Sequence, residues 1–235
     1  MILAKYEKLP KKMQNDTVKK YYDILSHKKI SLFFKRVFDI IISLILLIIL
    51  SPLMVGIAIV IKIDSKGKVF YRQERITKYG KIFKIYKFRT MIENADKVGN
   101  LITAQNDDRI TNIGKKIRKR RFDEIPQLLN ILKGEMSFVG TRPEVKKYVD
   151  KYSDEMKATL LMPAGVTSKA SIKFKEEDEI ISNFVKNGES IDDVYVKKVL
   201  PEKMKWNLEY IKEFNFWKDI KIILDTVISV VFKKN

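Results

Sequence analysis

The 235-residue sequence contains no cysteine and a single histidine, His27. Without cysteine, disulfide bonds, thiolate nucleophiles and cysteine-ligated metal sites are excluded. His27 stands in a polar N-terminal region and is interpreted as a surface residue, so histidine-based zinc sites are excluded too. The chemistry of this chain therefore has to be sought among its carboxylates and cations.

Acidic residues are clearly outnumbered by basic ones. The 29 Asp and Glu residues face 47 Lys and Arg residues, which leaves a formal net charge of +18. Such an excess predicts an anionic partner, which could be nucleic acid, an anionic membrane surface or a phosphorylated substrate. The length suffices for one domain with a real core. We find no internal repeat and no low-complexity segment that would divide it.

The stretch from Asp107 to Glu144 combines an unusual density of cations with a pair of carboxylates. Two carboxylates, Asp123 and Glu124, stand side by side and are followed by Arg142 in a turn. The cations before them are Lys115, Lys116, Arg118, Lys119, Arg120 and Arg121. Arginines hold phosphate by forked hydrogen bonds, and a carboxylate can bind a divalent cation, act as a base or attack as a nucleophile. The pattern suits a phosphate-bearing substrate.

A structural interpretation of the same stretch remains open. Asp123 and Glu124 precede Ile125 and Pro126, so the pair could simply open a helix, which Gly134 would end. The preceding cations could be the solvated end of another helix. If the pair does open a helix, the positive end of that helix stabilises the ionised carboxylates and attracts phosphate.

The one long apolar segment runs from Val37 to Ile61 and is long enough to cross a bilayer. Both of its ends are basic, so the positive-inside rule places both on the cytoplasmic side. Ser51-Pro52 in its middle predicts a kink, with Ser51 satisfying a freed carbonyl. We therefore expect a helix that enters, bends and returns, with Asp39 pairing with Arg36. An ordinary kinked transmembrane helix is the alternative, and a buried soluble helix fits less well because the run is apolar on all sides.

The remaining pattern predicts short elements. Residues 69–75 and 81–88 are prone to form strands and are expected to pair across a turn at Tyr79-Gly80, delivering Lys87 and Arg89. Those two cations could equally be strand-surface charges. Residues 91–98 and 148–161 are expected to be helical, 99–108 and 162–168 to be loops, and Pro201 to begin another helix. The amphipathic stretch 216–232 could lie in a membrane interface through Trp217 or pack on the core.

Several motifs in order resemble the bacterial sugar transferases, the monotopic polyprenyl-phosphate phosphoglycosyl transferases. The resemblance covers roughly residues 35–235. Arg118 and the run from Asp123 to Leu128 are followed by the run from Asn130 to Ser137 and by Val139-Gly140-Thr141-Arg142-Pro143. Two further matches are Lys87-Phe88-Arg89-Thr90-Met91 and Asp108-Arg109-Ile110-Thr111. Spaced motifs in the right order are more specific than any short pattern. Ala164 is a departure, because the family often has Pro-Gly-Ile-Thr at this point.

The resemblance implies a fold and a division of the chain. The fold class is α+β, mostly α, with a re-entrant membrane helix kinked at Ser51-Pro52, a small β-hairpin and an amphipathic C-terminal helix. Residues 1–34 would be a basic extension lying on the core or on lipid headgroups, 35–64 the re-entrant helix and 65–235 the catalytic domain. The protein would lie on the cytoplasmic face of a bacterial inner membrane.

The resemblance also implies a reaction, the transfer of a phospho-sugar from a UDP-sugar to polyprenyl phosphate with release of UMP, as the initiating step of surface glycan assembly. Asp123 would attack the β-phosphorus and contact Mg²⁺, while Glu124 would act as base or orienter. Arg118, Arg142, Lys87 and Arg89 would bind substrate, and residues 162–180 would contact nucleotide or sugar. Membrane lipids and downstream glycosyltransferases are the further implied partners, and nucleic acid is not. The sugar, the glycan pathway and the oligomeric state do not follow from it.

Two functions from other classes compete with this one. The net charge of +18 would suit a membrane-tethered nucleic-acid-binding protein, but no binding module is recognisable and the cations cluster about carboxylates. An inactive scaffold or regulator of the same fold is the second competitor, against which the intact carboxylate pair and its arginines argue.

Overall fold

The structure, a computed structural model, describes residues 2–95, 107–174 and 190–231, with the side chains of 230 and 231 excepted. It is mostly helical with two small sheets and one long apolar helix, so the predicted α+β, mostly α class is confirmed. The helices are α1 (Asp16–Ser26), α2 (Lys29–Asp64), α3 (Asn112–Lys119), α4 (Leu128–Lys133), α5 (Lys146–Val149), α6 (Lys169–Lys173), α7 (Ile191–Val194), α8 (Leu200–Lys212) and α9 (Phe216–Val231). The strands are β1 (Phe70–Ile76), β2 (Ile82–Phe88), β3 (Met136–Val139) and β4 (Ala164–Thr167).

The 36-residue helix α2 dominates the architecture. It is the one helix of the described residues that is long and apolar enough to cross a membrane, and only 11% of its most apolar window is buried in the protein. Pro52 lies inside it, where it cannot donate to the carbonyl of Ile48 four residues earlier. The Ser51 hydroxyl donates to that carbonyl at 2.8 Å, as the sequence predicted, so the helix continues through the proline.

Both ends of α2 and its middle touch the rest of the protein. Near its start, Arg36 donates to the carbonyls of Ile131 and Leu132, which closes the C-terminus of α4. The predicted Arg36–Asp39 pair does not form, because the Asp39 carboxylate instead accepts from the Ser137 hydroxyl and the Phe138 amide of β3. The middle and the end of α2 pack against two hydrophobic clusters. The α2 residues involved are Leu46, Leu47, Leu50, Ile57 and Ile61.

A buried ion pair ties α2 to α9. Lys35, 3% exposed, donates to Asp219 at 2.6 Å and to the carbonyl of Val139 at 2.8 Å. The second oxygen of Asp219 accepts from the Tyr210 hydroxyl at 2.8 Å. Because both charges are buried, removal of either residue would leave the other as an uncompensated charge and would destabilise the fold. Helix α9 packs on the core through the buried Ile222, and Trp217 is exposed. The helix therefore packs on the core, as one of the two interpretations expected, and it presents the tryptophan on which the other interpretation, a membrane interface, was based.

The N-terminal residues belong to the main core. Leu9, Met13, Val18, Tyr21 and Leu25 are buried together with side chains from α8 and from the segment around Leu161. Asn15 caps α1 by accepting from the Val18 amide at 2.9 Å. Lys78 and Tyr79, in the turn of the β-hairpin, bond the backbone of Ile2 and Ala4. Of the two positions that the sequence left open for this segment, the core is the one observed.

The hairpin β1–β2 is antiparallel with a continuous register from Phe70↔Phe88 to Ile76↔Ile82, which confirms that prediction. The second sheet, formed by β3 and β4, contradicts another prediction. Residues 162–168, expected to be a loop, contain β4, which pairs in parallel with β3. Gly140 and Gly165 let the two backbones meet, since a Cβ on Gly165 would stand 2.1 Å from the amide nitrogen of Gly140.

Two further expectations differ from the structure. The predicted helix at 148–161 is split into α5 and a 3₁₀ helix at Met156–Leu161. At 91–95 the chain forms a β-bridge from Met91 to Ile110 and a turn, while 96–106, including most of the predicted loop, lie outside the described residues. The helix expected from Pro201 is present as α8, with Pro201 in its first turn.

Candidate active site

The two adjacent carboxylates lie where the chain leaves α3. Thr111 caps α3 by accepting from the Gly114 amide, and Ile117 packs the helix onto α2. Arg121 then adopts a left-handed conformation, φ 54°, which turns the chain away from the helix axis. Asp123 and Glu124 follow in the first turn of a 3₁₀ helix, Phe122–Gln127, and not of the expected α-helix; α4 begins only at Leu128.

Glu124 is held by cations from three elements. Its Oε1 accepts from Lys87 of β2 at 2.9 Å and from Arg142, after β3, at 3.0 Å, and Arg121 stands 3.9 Å away. Burial by itself raises the pKa of Glu124, but the charges of Lys87, Arg142 and Arg121 outweigh it and hold that pKa well below its ordinary value. Glu124 is therefore a firmly ionised anchor that fixes the positions of Lys87 and Arg142.

Asp123 has a different environment. Its side chain is 10% exposed, and its Oδ2 is 4.0 Å from the Lys87 ammonium. Burial raises the pKa of Asp123 above its ordinary value, against the opposing charge of Lys87 and with a further rise from Glu124. A carboxylate with a raised pKa is more basic and a better nucleophile than an ordinary aspartate.

Two cavities meet at this pair. Asp123 lines a polar cavity of about 440 Å³ beside the hairpin, together with Lys87, Arg75, Arg109 and Arg118. Glu124 lines a second cavity of about 320 Å³, which is mainly apolar. The apolar walls of this second cavity come from α2, α4 and both strands of the parallel sheet, and include Leu46, Leu50, Leu128, Phe138 and Val166. The two adjacent carboxylates thus line two cavities, of which the first is richer in arginines and the second is more apolar.

The structure brings most of the sequence-predicted residues together. Lys87, Arg142, Asp123 and Glu124 form one connected group, and Arg118 lines the polar cavity beside it. Arg89 also lines that cavity, but its guanidinium donates to the carbonyls of Ser65 and Lys66 and to the Ser65 hydroxyl. Arg89 is thereby committed to the turn that follows α2. The predicted contacts at 175–180 lie outside the described residues.

Three arginines of the polar cavity were missed by the sequence reasoning: Arg72, Arg75 and Arg109. Arg109 is paired with Asp107 through two guanidinium nitrogens, and Arg72 lies over the ring of Tyr86 at 4.3 Å. A signal for Arg75 was present, because strand alternation puts it on one face of the hairpin with Tyr71 and Gln73.

The carboxylates of this site fit one type of magnesium site, in which substrate phosphates and water supply most of the ligands. Among residues 2–95, 107–174 and 190–231, no group of three or more Asp, Glu or His side chains could form a protein cage for a metal. Mg²⁺ needs no such cage, since it is usually held by one or two carboxylates together with substrate phosphates and water. Asp123, which lines the polar cavity, fits that type of site.

Comparison with known proteins agrees with the family resemblance seen in the sequence motifs. The family described as bacterial sugar transferase matches residues 30–233. The chain is 33% identical over 202 residues, 85% of its length and 44% of the relative's, to a UDP-N-acetylgalactosamine-undecaprenyl-phosphate N-acetylgalactosaminephosphotransferase of Aeromonas hydrophila. UDP-glucose:undecaprenyl-phosphate glucose-1-phosphate transferases of Escherichia coli (strain K12) and Caulobacter vibrioides (strain ATCC 19089 / CIP 103742 / CB 15) are 35% and 32% identical.

Coverage differs among these relatives. The match includes 82% of this chain and 39% of the E. coli protein, and 86% of this chain and 71% of the Caulobacter protein. The chain thus spans less than half the length of the Aeromonas and E. coli relatives. With nearly its whole length matched by the family, the chain belongs to the bacterial sugar transferases.

Proposed function

We propose that this protein is a membrane-associated phosphoglycosyl transferase, which moves a sugar phosphate from a UDP-sugar to polyprenyl phosphate and releases UMP. One observation carries the proposal: the Asp123–Glu124 pair stands between a cationic cavity and an apolar cavity that is walled by the membrane-type helix α2. A polar nucleotide and a lipid carrier need two such spaces that meet at one reacting group. The relatives' names supply the substrate classes.

The donor fits the polar cavity. Its volume of about 440 Å³ is within the range of small-molecule sites, and its arginines suit a diphosphate. The acceptor fits the apolar cavity, where Leu46 and Leu50 of α2 offer contacts for a lipid chain. Arg121 and Arg142 line the same space and suit the acceptor's phosphate.

The proposed chemistry has two steps. An Asp123 carboxylate oxygen attacks the β-phosphorus of the donor, the bond from that phosphorus to the oxygen bridging it to the α-phosphorus breaks, and UMP leaves with the bonding electron pair. A phosphate oxygen of the lipid then attacks the same phosphorus, and the bond to Asp123 breaks. Each step forms one bond and breaks one, which returns the carboxylate unchanged.

Glu124 has a positioning role in this scheme. Sequence left it open between base and orienter, and its lowered pKa favours the second, since a carboxylate held ionised by Lys87 and Arg142 is a weak base. Asp123 is the residue that would hold Mg²⁺ together with substrate phosphates. When bound, the ion would neutralise the negative charge of the diphosphate.

The acidic side of the pH–rate profile should report Asp123. Because burial raises its pKa and only the ionised form attacks, the first half-reaction should fail as the pH falls through a value above the ordinary aspartate pKa of about 3.9. Lys87 opposes that rise, so Lys87→Met should move the acidic limb to higher pH. The measurement is single-turnover UMP release without lipid at donor concentrations well below saturation, as a function of pH, because such rates report the pKa of the free protein.

The control for this experiment is Lys84→Met, which removes an exposed cation from the same strand. It should leave the acidic limb where the wild type has it. An unchanged limb in Lys87→Met, or one that moves to lower pH, would contradict the assignment of the limb to Asp123.

We also propose that α2 enters the membrane and returns to the same face. The same folded domain is hydrogen-bonded to both ends of α2. Lys35 and Arg36 donate to carbonyls of the domain at the start of the helix, and Arg89 donates to the Ser65 carbonyl at its end. A spanning helix would separate its ends by a hydrocarbon core of about 30 Å. Between these two ends, α2 exposes a row of aliphatic side chains that includes Ile41, Leu44, Ile48, Val55 and Ile59.

Pro52→Leu tests this topology. The substitution restores a donor inside α2 and favours a straight helix. Because the chain lacks cysteine, Ile30→Cys and Lys66→Cys give single labels at the two exposed ends. With a membrane-impermeant maleimide on intact cells, neither site should react until the membrane is opened, whereas adding Pro52→Leu should make a fraction of one site accessible. Leu53→Ile is the control, and opposite accessibility of the two ends in the unaltered helix would overturn the proposal.

The decisive test of the function is a panel of UDP-sugars with undecaprenyl phosphate, read out by UMP release and lipid-linked product. Turnover of one or more donors is the expected result. No turnover of any donor, with salt-dependent retention on nucleic acid, would favour the competing function that the net charge of +18 suggests. No turnover and no such retention would favour an inactive scaffold.

A further inference from the structure

Most cations around Asp123 already have a protein partner. Lys87 and Arg142 donate to Glu124, Arg89 donates to the 65–66 turn, and Arg109 is paired with Asp107. A donor that spends its hydrogen bonds on the protein has fewer to offer a phosphate. A cavity arginine whose charge is not paired with a carboxylate therefore has the most to offer a diphosphate.

Arg89 has a buried Nε without a hydrogen-bond partner, but its other two nitrogens donate three hydrogen bonds to the 65–66 turn. Arg75 makes fewer hydrogen bonds to the protein. Its Nη1 donates to the carbonyl of Pro143 at 3.2 Å and its Nη2 to the Gln73 side chain at 2.6 Å, while its Nε is buried and has no hydrogen-bond partner. Both partners are neutral. Within the described residues, no carboxylate forms a salt bridge with Arg75; Glu144, which acts on it electrostatically, accepts from Tyr195 and lies 3.7 Å from Lys203.

An arginine in this state is costly for the free protein. Arginine stays charged in proteins, and a buried charge without a counter-ion is destabilising. Burial lowers the pKa of Arg75, in line with that cost; Glu144 counters the effect and Arg142 adds to it. An anion that entered the polar cavity, which Arg75 lines, would offset the cost. The carbonyl of Pro143 and the side chain of Gln73 fix the plane of the guanidinium beforehand, so little entropy is lost on binding.

We propose that Arg75 is a phosphate-binding residue of the polar cavity, and that it takes oxygens of the donor's diphosphate while Lys87 and Arg142 hold Glu124. The inference rests on the proposed function for the identity of the donor. Arg75 acts on the substrate's phosphate and not on the lipid acceptor, because it lines the cavity of Asp123 and not the apolar one.

The test compares Arg75→Gln, Arg75→Lys and Lys84→Gln, the last removing an exposed cation of the same hairpin. Full-length protein in detergent micelles is titrated with UDP and with uridine, and KM is measured separately for UDP-sugar and for lipid phosphate. In Arg75→Gln, UDP should bind about ten- to a hundredfold more weakly, the range for a lost hydrogen bond to a charged group. Uridine affinity and the KM for lipid phosphate should stay within about twofold, and Lys84→Gln should match the wild type.

Three results would overturn the proposal: UDP affinity within about twofold of wild type in Arg75→Gln, an equal loss for UDP and uridine, or a rise in KM for lipid phosphate alone. Should Arg75→Gln not fold, Arg75→Lys decides, because it keeps the charge and loses the fork; its UDP affinity should fall several-fold. The binding arm needs no turnover. A wild type that binds UDP but releases no UMP would therefore refute the proposed function and leave the assignment of Arg75 to be judged on the titration.

Discussion

Asp123→Asn should abolish sugar-phosphate transfer, with UMP release and lipid-linked product both falling by about a thousandfold or more, as expected when a nucleophile is removed. Asparagine keeps the shape of the side chain and loses the attacking charge. The thermal midpoint should not fall, because burial disfavours the ionised form of Asp123 in the folded protein. A neutral side chain of the same size removes that cost, as is common when an active-site residue is replaced.

The measurement combines kinetics with trapping. Wild-type protein quenched after exposure to donor alone should show the mass of a sugar phosphate on the peptide that contains Asp123, and the variant should not. Asp154→Asn, which neutralises an exposed aspartate away from both cavities, is the control and should keep both the activity and the adduct. Near-normal turnover by Asp123→Asn would rule out a covalent intermediate on this residue.

The second large effect should come from the ion pair between α2 and α9. Lys35→Met leaves Asp219 buried, with only the Tyr210 hydroxyl as a donor among its observed partners. Breaking a buried pair from one side costs about 3–5 kcal/mol. For a chain of this size we expect the thermal midpoint in micelles to drop by roughly 6–20 °C.

A double substitution separates the charge from the packing. Lys35→Met combined with Asp219→Leu removes both charges, so it should be more stable than Lys35→Met alone. Lys29→Met, at the exposed start of α2, is the matched control and should leave the midpoint unchanged. If Lys35→Met melted at the wild-type temperature, the pair would contribute nothing to holding α2 against the domain.

Some local parts of the fold could be predicted, and the non-local parts could not. The hairpin and α2 follow from patterns within a few residues of one another, and both are present. Strands β3 and β4 have four residues each and pair in parallel across 24 intervening residues, too short and too distant for a periodic signal. In the N-terminal segment Val18, Tyr21 and Leu25 do have helical spacing, a weak sign of the burial that the structure shows.

The site shows the same division. Asp123, Glu124, Lys87 and Arg142 could be named together because they stand in recognisable motifs, although their roles stay predictions. The conformation that turns Asp123 and Glu124 toward separate cavities could not be named, because it depends on the left-handed Arg121 and on a 3₁₀ turn in place of an α-helix. Arg89 was named as a candidate and Arg75 was not, since only the structure reveals the hydrogen bonds of Arg89 to the 65–66 turn and those of Arg75 to Pro143 and Gln73.

The Lys35–Asp219 pair also sets an order of events during synthesis. The two residues are 184 positions apart, so α2 is synthesised long before the carboxylate that neutralises Lys35. Until residue 219 has been made, Lys35 has no counter-ion to pair with. Docking of α2 against α9 is therefore a late event in the folding of the chain.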